Sequence, residues 1–150
     1  MECIFCEIVY GGLKHYKIYE DRNYIGILDI FPNIKGQSLV IPKRHISSYA
    51  FDLDDFTLSE FMSSVKRVAK ILEKGLMVKR VHMVLEGTEV DHLHAKLYPA
   101  IGFTNSNIVV SGEEKFESYP GYITTMHGPK ASDTELEKLR DEILKKASIT

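Results

Sequence analysis

The stretch Asp91-His92-Leu93-His94-Ala95-Lys96-Leu97-Tyr98-Pro99 alternates polar and apolar side chains at a period of two. Because successive side chains of an extended strand leave opposite faces, this period predicts a β-strand. Its apolar face consists of Leu93, Ala95 and Leu97, and its polar face consists of His92, His94, Lys96 and Tyr98. The two imidazoles would lie roughly 6 to 7 Å apart and face one cleft. The alternative is a solvated strand face that happens to carry histidines.

Outward from this stretch, short extended runs and two helical runs are predicted. Strands are predicted over 15–20, 24–30 and 37–41, as an antiparallel meander, and a fourth over 81–86. From residue 57 the apolar spacing changes to three and four, which predicts a long helix with a capping box at Thr57 and Glu60 and an end at Gly75. A last helix is predicted over about 132–147, with a capping box at Ser132, and Pro120-Gly121 predicts a turn.

The composition indicates a soluble globular protein. The 150 residues carry a net charge of -2, and the pI is about 6.3. This charge argues against duplex nucleic acid as a partner, and no apolar run is long enough to span a membrane. The first residues are acidic where a signal peptide is basic, so we expect a cytoplasmic protein. With no internal repeat or linker, residues 1–150 are expected to form a single domain.

Both cysteines lie in Cys3-x-x-Cys6. In a reducing compartment this spacing favours a metal site or a redox pair over a structural disulfide. A thioredoxin-type redox site needs a strand before it, and only two residues precede Cys3. A zinc ion would need two further ligands from elsewhere in the chain. The basic run Lys43-Arg44-His45 is either part of a site for small anions or a solvated turn.

Five blocks, in order, resemble the histidine triad (HIT) family of nucleotide hydrolases and transferases. They are Cys3-Ile4-Phe5-Cys6-Glu7-Ile8, Tyr19-Glu20-Asp21, Leu28-Asp29-Ile30-Phe31-Pro32, Leu39-Val40-Ile41-Pro42-Lys43-Arg44-His45 and the histidine stretch itself. The resemblance extends over residues 3–99. It implies an α+β fold with a five-stranded antiparallel sheet and one long helix, a homodimer, and a purine nucleotide or nucleotide conjugate as ligand.

The resemblance also implies roles for individual residues. His94 takes the place of the family nucleophile, which attacks the α-phosphorus of a nucleoside phosphoramidate, dinucleoside polyphosphate or related ester and forms a nucleotidyl-histidine. Asp29, with its neighbour Ile30, takes the place of the nucleotide-binding residues, although Asp29 also suits a turn at a strand end. In several relatives zinc is bound at the positions matching Cys3, Cys6, His45 and His92, and the resemblance implies a structural zinc here.

Two features depart from the family pattern. Lys96 stands where the third histidine belongs, and a lysine ammonium donates hydrogen bonds but cannot accept them. We expect it to hold a phosphate oxygen. The segment over 85–91 is short and acidic, so Glu89 or Asp91 near a phosphate would be unfavourable. The second hypothesis is therefore a nucleotide-binding, zinc-stabilised interaction protein with little or no turnover. Repair of adenylated nucleic-acid ends is a third idea, which the acidic charge balance disfavours.

Overall fold

The computed structural model describes residues 3–104, 116–118 and 129–148. Its helices are α1 (Ile4–Val9), α2 (Asp55–Leu76) and α3 (Asp133–Ala147), with a short 3-10 turn at Ala50–Asp52. Its strands are β1 (Lys17–Glu20), β2 (Tyr24–Leu28), β3 (Ser38–Pro42), β4 (Val81–Val84) and β5 (Ala95–Pro99). The turn predicted at Pro120-Gly121 lies outside the described residues. None of the described helices is both long and apolar enough to cross a bilayer.

The strands form one antiparallel sheet in the order β1-β2-β3-β5-β4. The predicted α+β class with a five-stranded antiparallel sheet is therefore confirmed. The apolar side chains of the histidine stretch, Leu93, Ala95 and Leu97, join the core cluster under α2. The opposite sheet face is covered in part by α1, whose Phe5 packs on Ile25, Ile27, Leu39 and Ile41. His92 and His94 lie on this second face, where both rings contact Phe5.

Both predicted ends of the long helix are wrong. The helix begins at Asp55, because the Asp54 side chain accepts a hydrogen bond from the backbone N–H of Thr57 and caps the first turn. It continues through Gly75 and ends at Leu76. The next residue, Met77, takes the left-handed conformation with φ 55°. A Cβ at Gly75 would lie 2.6 Å from the backbone oxygen of Ile143. The glycine therefore permits close packing against α3 instead of ending the helix.

Two other differences and one agreement concern local structure. The regular strand β5 begins at Ala95, so His92 and His94 lie in the irregular segment that leads into it. The helix α1 was not predicted, because its six residues are too short to show a helical period. The last helix was predicted correctly, since the capping box between Ser132 and Glu135 is present.

Candidate functional site

His94 is held in one tautomer by the chain around it. Its Nδ1 lies 2.8 Å from the backbone oxygen of His92, and a carbonyl can only accept, so Nδ1 carries the proton. The lone pair is therefore on Nε2. Burial lowers the pKa of His94, and the positive charge of Lys96 acts in the same direction. The ring is thus a neutral imidazole at physiological pH, which is the form that a nucleophile requires.

The ring of His94 is almost completely enclosed. The residue is 3% exposed, and the Phe5 ring packs edge-on against it with centroids 4.9 Å apart. A cavity of about 770 Å³ lies at the end of the sheet near Tyr24, Pro42 and Arg44, and its lining does not include His94.

Lys96 is paired with an acid that sequence reasoning did not single out. Its Nζ donates to Oε1 of Glu86 at 2.5 Å, with side chains 8% and 20% exposed respectively. Thr88 donates to the other carboxylate oxygen at 2.6 Å. Burial alone would raise the pKa of Glu86, but the hydrogen bonds from Lys96 and Thr88 outweigh burial and hold it below its usual value. Lys96 and Glu86 therefore form a largely buried ion pair.

Asp91, in the acidic segment before the histidines, is bound to another part of the chain. Asp91 accepts hydrogen bonds from the backbone N–H of Ser48 at 2.9 Å and from the Ser47 hydroxyl at 3.1 Å. Its carboxylate thus binds the loop that follows β3. Of the acids in this segment, Glu86 is the one paired with Lys96 on the histidine face.

Asp29 lies directly after β2 with its carboxylate fixed from two sides. One oxygen accepts from the backbone N–H of Phe31 at 2.8 Å, which is the turn interaction considered for this residue. The other accepts from Nε2 of Gln37 at 2.7 Å, and Gln37 in turn accepts from the backbone N–H of Asn33. The neighbouring Ile30 is 38% exposed. The buried Gln37 therefore orients a half-buried carboxylate beside an exposed apolar side chain.

Four potential metal ligands converge between α1 and the sheet. The ligand atoms of Cys3, Cys6, His45 and His92 all lie within 4.8 Å of one another. Nδ1 of His92 lies 3.3 Å from Sγ of Cys3 and 3.6 Å from Sγ of Cys6, and Nδ1 of His45 lies 3.5 Å from Sγ of Cys6. Tetrahedral zinc with ordinary bond lengths separates sulfur and nitrogen ligands by about 3.6 Å. The spacing of the cluster therefore fits zinc.

The tautomer of His92 also suits a metal ligand. Its Nε2 lies 2.9 Å from the backbone oxygen of Pro42, so Nε2 carries the proton and Nδ1 presents its lone pair to the two sulfurs. Burial raises the pKa of Cys6, and the neighbouring Cys3 raises it further. A bound cation would favour both thiolates, so metal binding would release protons. Two thiolates and two imidazoles form the donor set of a closed, structural zinc site.

The sequence of the chain is similar to those of known proteins. A HIT domain model matches residues 12–99. The adenosine 5'-monophosphoramidase of Saccharomyces cerevisiae is 34% identical over 98 residues, which cover 65% of this chain and 61% of that protein. Because the match of the family model begins after α1, it contains His45 and His92 but neither cysteine.

Two solved structures match nearly the whole chain. A hypothetical histidine triad nucleotide-binding protein from Sulfolobus tokodaii aligns with a TM-score of 0.72 and 26% identity, covering 97% of this chain and 91% of that one. A Zn-bound histidine triad family protein from Mycobacterium smegmatis aligns with a TM-score of 0.68 and 25% identity, covering 99% and 94%. These alignments extend the similarity to both ends of the described structure.

Proposed function

The chain belongs to the HIT domain family, and on that premise we propose that it binds a purine nucleotide or nucleotide conjugate and cleaves it at the α-phosphate through His94. The observation that carries this proposal is the hydrogen bond from Nδ1 of His94 to the His92 carbonyl, which leaves the Nε2 lone pair for attack. The name of the yeast relative, a phosphoramidase, supports a substrate of this class.

The proposed reaction has two steps. The Nε2 lone pair of His94 forms a bond to the α-phosphorus, while the bond from phosphorus to the leaving group breaks and its electron pair departs with that group. Water or another acceptor then attacks, the phosphorus–nitrogen bond breaks, and the imidazole regains its lone pair. In this proposal Asp29 binds the ribose hydroxyls, Ile30 contacts the base, and Lys96 donates to a phosphate oxygen.

We further propose that Cys3, Cys6, His45 and His92 bind one structural zinc ion. The convergence of four donor atoms and the Zn-bound relative support this proposal. Bound zinc would connect α1 to the sheet and hold the segment that carries His94. The residues 1–150 are proposed to act as a single-domain cytoplasmic protein, and as a homodimer, for which the edge strand β4 offers a pairing surface.

The rival is a nucleotide-binding, zinc-stabilised interaction protein with weak turnover or none. Two observations favour it: His94 is 3% exposed, and the third triad position holds a lysine paired with Glu86. Under this hypothesis the scaffold and the metal cluster persist, but no covalent intermediate forms.

Intact-mass measurement separates the two functions. We expect the protein, mixed with adenosine 5'-phosphoramidate or a dinucleoside polyphosphate, to gain the mass of one adenylyl group, and His94→Ala to gain none. His15→Ala serves as the matched control, because His15 lies outside the cluster. Its Nδ1 lies 3.0 Å from the backbone oxygen of Leu13. A wild-type protein that forms no adduct and releases no product with either donor would contradict the enzymatic proposal and favour the rival.

A further inference from the structure

Tyr98 carries a buried hydroxyl that the proposed reaction does not use. The residue is 5% exposed, and its hydroxyl has no hydrogen-bond partner among the residues that the structure describes. A buried hydroxyl without a partner is unfavourable, because it has lost its hydrogen bonds to water without replacement. A ligand group bound at this position would supply the missing partner.

The sheet register places Tyr98 in the same row as Asp29, with Gln37 between them. Leu28, Ser38 and Leu97 form one row across β2, β3 and β5. The next row is Asp29, Gln37 and Tyr98, and the backbone N–H of Asp29 donates to the Gln37 oxygen at 2.9 Å. Gln37 also bonds the Asp29 carboxylate, so one buried side chain fixes the acid on the same sheet face as Tyr98.

The charges around Tyr98 keep its hydroxyl protonated. Burial raises the pKa of Tyr98 well above its usual value, and the carboxylates of Asp29 and Glu86 raise it further. Tyr98 is therefore a donor throughout the physiological pH range, and the carboxylate of Asp29, in the same row of the sheet, can only accept.

We propose that Tyr98 contacts the ribose, donating its hydroxyl proton to one ribose hydroxyl oxygen while Asp29 accepts from the sugar, and that this pair selects ribonucleotides over deoxyribonucleotides. The inference rests on the proposed nucleotide site. A sugar hydroxyl both donates and accepts, so an acceptor and a buried donor together recognise it. A deoxynucleotide that lacks this hydroxyl leaves the Tyr98 hydroxyl unpaired. Its complex therefore lacks the hydrogen bond that stabilises the bound ribonucleotide.

Calorimetric binding of three ligands tests this inference. The ligands are adenosine 5'-monophosphate and its 2'-deoxy and 3'-deoxy forms. We expect Tyr98→Phe to weaken binding of the ribonucleotide about three- to tenfold. The same change should leave the affinity for the deoxynucleotide that lacks the contacted hydroxyl unaltered. A merely structural role would not make the effect depend on one sugar hydroxyl.

Tyr24→Phe is the matched control, since Tyr24 is also 5% exposed but packs in the cluster under α2. It should leave all three affinities unchanged. Equal weakening of all three ligands by Tyr98→Phe, or no weakening, overturns the inference and leaves the proposed function standing. The same holds if the wild type binds the three ligands equally well, a result that needs no variant. If none of the three ligands binds at millimolar concentration, the nucleotide site is refuted, and the inference with it.

Discussion

At the scale of single residues, Lys96 sets a chemistry beside His94 that differs from the chemistry of an imidazole. An imidazole titrates near neutral pH and exchanges protons, whereas a lysine ammonium is a much weaker acid. The partner of Lys96 is Glu86, whose carboxylate is also fixed by Thr88. This arrangement supplies a positioned donor for a phosphate oxygen but a poor proton donor for a leaving group.

Lys96→His should therefore accelerate hydrolysis of a phosphoramidate, whose amine leaves only after protonation. General acid catalysis contributes about 10² to 10⁴ in rate, and we expect a gain of at least about tenfold. Because Glu86 would lose its cationic partner in this variant, the rate of the double variant Lys96→His/Glu86→Gln is measured as well. Lys66→His, at an exposed position of α2, is the control. An unchanged rate in both folded variants would show that proton donation does not limit turnover.

At the scale of elements, the position of α3 depends on polar contacts at its first turn as well as on its apolar face. The Tyr16 hydroxyl donates to one oxygen of Asp133 at 2.6 Å, and Lys14 donates to the other at 2.9 Å. Leu136 and Ile143 are buried in the cluster under α2. The sequence predicted the amphipathic pattern of α3. It did not predict the contact between Tyr16 and Asp133, because these residues are 117 positions apart in the chain.

These contacts make part of the stability depend on pH. The hydrogen bonds from Tyr16 and Lys14 hold the pKa of Asp133 below its usual value. A lowered folded-state pKa contributes stability above the unfolded pKa, and this contribution is lost as the pH falls through the folded value. Asp133→Asn should therefore be less stable than the wild type at pH 7 and pH 5, and the difference should shrink below about pH 4.

Urea unfolding at pH 7, pH 5 and about pH 3 measures this difference. Asp141→Asn is the control, because Asp141 pairs with its neighbour Arg140 within α3. If the destabilisation by Asp133→Asn stays constant down to the lowest pH, the lowered pKa of Asp133 is not the source of this pH dependence.

At the scale of the whole molecule, the metal cluster connects the beginning of the chain to its centre. Cys3 directly precedes α1, Cys6 lies within it, His45 follows β3, and His92 precedes β5. Phe5 of α1 also covers the histidine face, packing against both His92 and His94. Bound zinc would thus order the wall of the proposed site as well as the fold.

We expect about one zinc ion per chain in protein purified without chelator, measured by elemental analysis. Cys3→Ser, or removal of the metal by a chelator, should lower the melting temperature by at least about 5 °C, because ligand binding to the folded state stabilises it. His15→Ala keeps all four ligands and should retain the metal. A metal-free wild type with an unchanged melting temperature after chelation would rule out the structural zinc.

The sequence by itself determined the features that depend on local period and composition. These are the antiparallel strands, the apolar faces of α2 and α3, and the two faces of the histidine stretch, whereas the Cys2His2 set followed from the resemblance to the HIT family. Tertiary structure alone decided the pairing of Lys96 with Glu86, the backbone bonds that set the tautomers of His92 and His94, and the approach of Ile143 to Gly75. The physical reason is that such contacts depend on loop paths and strand register, which bring together groups whose separation in the chain carries no periodic signal.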